Sequence, residues 1–186
     1  MVSTGARSSR TCRRLLDDQR AVSAVEFALI LPIMILLLFG GVELGDALSI
    51  DRKVTHVTST LSDLVAQSKS ITDADMATIF TAATWIMTPY SAATLKMKVS
   101  GINIDSASKA TVAWSYAQHD TALSKGAAVT VPAALLQPST FLVLTEAHYP
   151  YTPDIGYVMT GTYDLTDKFY LHPRLSAKVC QNATTC

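Results

Sequence analysis

The chain has 186 residues, a charged fraction of 16%, an apolar fraction of 49% and a formal net charge of zero. So even a balance gives no electrostatic reason to expect nucleic acid as a partner, and none is expected. The basic residues are nevertheless placed unevenly, with Arg7, Arg10, Arg13, Arg14 and Arg20 all preceding one long apolar run.

That run, Ala21 to Val42, reads AVSAVEFALILPIMILLLFGGV and carries Glu26 as its only charge. As a helix rising 1.5 Å per residue it spans roughly 33 Å, enough for a hydrocarbon layer of about 30 Å. Phe27 to Phe39 shows no polar face, unlike a core helix of a soluble domain. The arginines place the N-terminus in the cytoplasm, and Glu43, Asp46 and Asp51 follow on the far side. The run is longer than the apolar region of a secretory signal and lacks a convincing small-x-small cleavage pair after it. A retained anchor is therefore expected. Beyond it about 135 residues remain, enough for one domain with a core.

Glu26 is out of place in such a run. A carboxylate costs roughly 2.5–3.5 kcal/mol at the centre of a membrane span. Either it lies at the interface near Arg20, or it has a partner in the membrane, for which a free amino terminus created just before it would serve.

The segment Arg20-Ala21-Val22-Ser23-Ala24-Val25-Glu26-Phe27, followed by Ala28-Leu29-Ile30-Leu31-Pro32, resembles the N-terminus of TadE-like minor pseudopilins of tight-adherence (Flp-type) pilus systems. In that family a basic leader ends in a small residue, normally Gly, and the mature chain begins four residues before a Glu followed by an aromatic. The resemblance implies that Ala21 ends a leader and that prepilin peptidase cuts before Val22. Glu26 would then be the fifth mature residue and pair with a terminal amine, and Phe27 matches the aromatic. Gly40-Gly41-Val42-Glu43-Leu44-Gly45 is similar to the family's Gly-x-x-Glu-aromatic-Gly stretch, with Leu44 in place of the aromatic. The implied partners are other pilins and pseudopilins, prepilin peptidase, an inner-membrane assembly platform and membrane lipid. The implied place is the bacterial inner membrane, with the outer domain in the periplasm or carried into the pilus, and the implied role is pilus assembly for surface adhesion. The layout is a basic leader over 1–21, a transmembrane helix over 22–48 and an outer domain over 49–186.

Past the membrane, Val54, Val57, Leu61, Leu64 and Val65 recur at helical spacing, which predicts an amphipathic continuation to about Gln67. Gly40, Gly41 and Gly45 are expected to loosen the joint between the two halves. A second helix begins at Thr72, a cap with Asp75 in the third position of a box-like motif. Its apolar stripe is Met76, Ile79, Phe80, Ala83, Ile86 and Met87, and Pro89 ends it.

The period then changes to two. Leu95, Met97, Val99, Ile102 and Ile104 alternate around Gly101, where a bulge is expected. Residues 105–109 form a turn, and Val112, Trp114 and Tyr116 return in a hairpin. Pro132 to Pro138 is a connector with one helical turn. Phe141 to Tyr149 is a third strand stopped by Pro150 and Pro153, Tyr157 to Asp167 reads as loop, and Lys168 to Val179 as a fourth strand with Pro173 inside it. The fold class is α+β: a transmembrane helix extended by an amphipathic one, packed with a second helix on an antiparallel sheet of about four strands, a pilin-like layout.

Cys180 and Cys186, beyond the membrane, suit a disulfide in an oxidising compartment, the alternative being two free thiols; Cys12 lies before the anchor. His56, His119, His148 and His172 stand alone, without the spacing of a metal site, and no cofactor is expected. Asn182-Ala183-Thr184 matches a glycosylation sequon common by chance, and Tyr149 to Pro153 reads as a rigid connector. No nucleotide or hydrolase fingerprint is present, so an enzyme is not expected. Two further readings remain: an uncleaved single-pass scaffold of the pilus or secretion machinery, and a membrane-tethered ligand-binding module or enzyme.

Overall fold

The structure is a computed structural model, and it describes residues 19–182. Cys12, the arginines up to Arg14, Cys186 and Thr184 of the sequon lie outside the described residues. The chain divides into two compact units: the described part of Met1–Gly45 with Pro153–Thr160, and Asp46–Thr152 with Gly161–Cys186.

Helix α1, Gln19–Ala66, runs for 48 residues with Pro32 inside it. It passes through Gly40, Gly41 and Gly45 without interruption. A helix tolerates single glycines at about 1 kcal/mol each when other bonds hold its backbone. In the larger unit the expected amphipathic face is present, with Val54, Val57, Leu61 and Val65 fully buried. Leu64 departs from it at 40% exposure. It lines an open groove of about 430 Å³ with Ser59, Thr60, Asp63, Phe169, Leu171 and Arg174.

Strand β1, Ser70–Ile71, leads into helix α2, Asp73–Ile86. The Thr72 hydroxyl accepts from Asp75 N, and the Asp75 carboxylate accepts from Thr72 N at 2.9 Å, a complete capping box. Hydrogen bonds from Thr72 hold the Asp75 carboxyl below its ordinary range. Met76, Phe80, Ala83 and Met87 are buried, while Ile79 and Ile86 are half-buried. Lys53 Nζ donates to Ile86 O at 3.0 Å and to Thr88 O at 2.8 Å, so a cation from α1 satisfies carbonyls at the end of α2.

Strands β2 (Lys96–Ile104), β3 (Ala110–Gln118), β4 (Phe141–Tyr151) and β5 (Tyr163–Leu171) form an antiparallel sheet in the order β3-β2-β4-β5. Asp105 Oδ1 accepts from the N–H groups of Ala107 and Lys109, which closes the β2–β3 turn. The register slips between Gly101 and Ile102, where the bulge was expected. A side chain at Gly101 is impossible without movement, because a Cβ there would lie 2.5 Å from the Trp114 ring and 2.6 Å from Phe141. Beyond β3, a single 3₁₀ turn covers Ala133–Leu135.

Two strand boundaries differ from the sequence reading. β4 continues through Pro150 to Tyr151, because β2 ends opposite His148 and leaves Pro150 a neighbour on one side only. The fourth strand is Tyr163–Leu171, not Lys168–Val179, so much of the expected loop is strand and Pro173 falls after it. β5 lies at one edge of the sheet.

Ile102, Ile104, Val112, Leu142 and Leu144 form one sheet-face core, covered by Val131, Leu123, Val129, Leu135 and Leu136 from the β3–β4 connection. On the opposite face Trp114 Nε1 donates to Val179 O at 2.7 Å and Tyr116 donates to Asp73 Oδ1 at 2.7 Å. Burial first, and then Asp73, push the Tyr116 hydroxyl above its ordinary range. The last segment straps this unit: Arg174 N donates to Ala66 O, and β6, Cys180–Gln181, pairs in parallel with β1.

Candidate functional site

The anchor half of α1 is apolar around most of its surface, and no described residue covers its most apolar stretch. None of its most apolar 18-residue window is buried, and Val25, Phe27, Leu29, Ile33, Leu37 and Leu38 are all exposed. Water does not tolerate such a surface, so lipid or other apolar helices must cover it. By length and composition it can cross a membrane. Ala21 and Val22 lie in its first turns, and Glu26 stands exposed in the same apolar surface. These three expected site residues are thus on one helix, whereas Cys180 is in β6 and Cys186 lies outside the described residues.

Sequence reasoning missed a second feature of the smaller unit. Glu43 was read only as part of the acidic flank and of the Gly-rich stretch. Its carboxylate accepts N–H groups from three successive residues: Tyr157 at 2.9 Å, Val158 at 3.2 Å and Met159 at 2.7 Å. Glu43 is 2% exposed. One turn earlier, the Phe39 ring lies 6.3 Å from that of Tyr157, and a Cβ at Gly40 would be 3.4 Å from the Val158 methyls. Segment 153–160 is therefore seated on α1 over one turn, through an aromatic pair, a small residue and a carboxylate. A buried acid at the end of an apolar run, with a distant loop rich in N–H donors, carries no local sequence pattern that could have announced this.

On the sheet, Asp120, Lys98, Glu146 and Lys168 form a chain of ion pairs at 3.0, 3.7 and 2.6 Å. Burial opposes ionisation of Asp120, but Lys98 and the Thr121 N–H outweigh it and hold that carboxyl below its usual range. The hydrogen bond to Glu146 pushes the Lys168 ammonium up. A cavity of about 270 Å³ beside them is lined by Lys96, Lys98, Asp120, His148, Pro150 and Asp164. Within that chain of four the carboxylates and lysines bind one another. His119 Nδ1 lies 3.0 Å from Leu95 O, a contact of structure and not of chemistry.

The fold and the anchor define a class: an α+β domain carried on one long N-terminal helix that is apolar enough to span a membrane. The model of the family described as TadE-like protein matches residues 21–61, which cover the anchor, Glu26, Glu43 and the start of the buried face. That agrees with a TadE-like protein of tight-adherence pilus systems, the resemblance carried by Ala21 to Pro32. No curated protein and no solved structure matches the chain.

Proposed function

We propose that this chain is a minor pseudopilin that takes part in assembly of a Tad-type pilus used for surface adhesion. The observation that carries the reading is the uncovered apolar surface of α1 with a single carboxylate, Glu26, set in it. Prepilin peptidase removes the leader between Ala21 and Val22. The helix then packs against those of other pilins and pseudopilins on the inner-membrane platform, and Glu26 neutralises a neighbouring subunit's terminal amine. Paired in this way, each charge compensates the other's loss of water. The N-terminus faces the cytoplasm, the sheet domain faces the periplasm, and its role is to present a docking shape, not to catalyse. A Cys180–Cys186 bridge closes the terminal loop; its support is the pair of cysteines close in sequence beyond the anchor, on the side of the chain that would face an oxidising compartment.

N-terminal sequencing of the protein purified from membranes tests this. The expected start is Val22, and Glu26→Ala should be cleaved yet fail to enter the pilus fraction. A mature chain that begins at Met1, together with a Glu26→Ala variant that assembles normally, would overturn the reading in favour of an uncleaved scaffold.

A further inference from the structure

We propose that segment Pro153–Thr160 is a membrane-interface segment, resting in lipid at the headgroup boundary, and that Glu43 makes its backbone compatible with that position. The proposal rests on α1 spanning the membrane and goes beyond it.

Depth is the first argument. The apolar run ends at Val42, and the segment is fixed to Phe39, Gly40 and Glu43, the last turn of that run and the first acidic residue after it. Whatever lies beside those residues shares their level. Side-chain chemistry is the second. Ile155, Tyr157 and Val158 are 49%, 67% and 42% exposed, three apolar or aromatic groups in succession around Gly156. Tyrosine, with an apolar ring and a polar tip, is favoured at the boundary between hydrocarbon and headgroups. Asp154, at the start of the segment, is its only charge.

The backbone supplies the third argument. Irregular chain near hydrocarbon is tolerated only when its N–H groups are satisfied by protein, because water is scarce there. Glu43 takes the N–H groups of Tyr157, Val158 and Met159 together. The same bonds solve the reciprocal problem, since a carboxylate at that level needs donors in place of water. The occupant of this exposed surface is therefore lipid, continuous with the lipid around α1.

The test uses the full chain in phosphatidylcholine–phosphatidylglycerol vesicles. A Trp85→Phe background leaves only buried Trp114 as a constant signal. Into it is placed Tyr157→Trp, or Ile155→Trp should the first fail to fold. A nitroxide near the lipid headgroup is expected to quench the new indole several-fold more than the background, and a nitroxide near the acyl-chain end or aqueous iodide much less. Leu31→Trp in the same background should respond to the chain-end nitroxide. If it does and the loop indole answers only to iodide, the loop proposal falls while the anchor stands. A loop indole shielded from every quencher means that protein covers it, which also overturns the proposal. If Leu31→Trp is untouched by lipid labels, the anchor reading and the proposal fall together. Glu43→Ala should move the loop indole from lipid quenching to iodide quenching; unchanged lipid quenching would remove Glu43 from the proposal.

Discussion

Replacing Gly101 with alanine would put a methyl group into space already filled by two aromatic rings. The new carbon would lie 2.5 Å from Trp114 Cε2, 2.6 Å from Trp114 Nε1 and 2.6 Å from Phe141 Cζ. Carbon atoms settle at about 3.5–4.0 Å, so the rings must retreat by about 1 Å. Overpacking of this kind costs about 1–3 kcal/mol. Retreat also draws Trp114 Nε1 away from Val179 O, now 2.7 Å distant, and leaves a buried donor without its acceptor. That adds about 1–2 kcal/mol. At about 3 °C per kcal/mol for a chain of this size, the unfolding midpoint should fall by roughly 6–15 °C. The assay is thermal unfolding of the detergent-solubilised chain, followed by Trp114 emission in a Trp85→Phe background. In a Trp114→Val background, followed by far-UV circular dichroism because no tryptophan then remains, Gly101→Ala should cost less, because the ring the methyl strikes is gone. A Gly101→Ala midpoint within about 1 °C of its parent, with unchanged Trp114 emission, would refute the reasoning.

Two further predictions concern charge. Asp75 has a lowered folded-state pKa, so its contribution is present above the unfolded carboxylate value and is lost as pH falls through the folded one. Far-UV circular dichroism in acid should show that loss, and Thr72→Ala should remove both the loss and about 1 kcal/mol of stability. For Glu146→Gln, Lys98 keeps Asp120 while exposed Lys168 loses its partner. Denaturant unfolding at neutral pH should show a cost of about 1 kcal/mol, small because Lys98 keeps Asp120 and exposed Lys168 is screened by solvent. Because the Lys168 pKa is raised by that pairing, its small share persists below the unfolded lysine value and fades as pH rises through the folded one. A variant whose alkaline profile matches the parent's would rule out the pairing.

What could be read in advance was what repeats along the chain. Thr72 and Asp75 form their box three residues apart, and the spacing of Val54, Val57, Leu61 and Val65 states a buried helical face before any partner is known. Gly101 announces its bulge by interrupting an alternation. β5 announces nothing, since Asp164, Thr166 and Asp167 hide a strand with no fully buried residue, and its backbone ladder with β4 is what defines it. β1 and β6 are two residues each, too short to have a period. The Glu43 clamp joins residues more than 110 positions apart through backbone N–H groups that any sequence would supply.

The strap formed by the last segment carries a consequence for how the chain is made. Ala66 meets Arg174, Trp114 meets Val179, and Ile71 meets Gln181, so each closure joins residues separated by 65 or more positions. Such contacts come late, because the loop entropy must be met before any of them forms. The β2–β3 hairpin can form as soon as it emerges, but the Trp114 pocket and the β1–β6 pair must wait for residues near 180. A chain delivered across a membrane from its N-terminal side would therefore finish folding only after nearly all of it had passed through. Until then Trp114 and the buried face of α1 would be open to the quality-control proteins of that compartment.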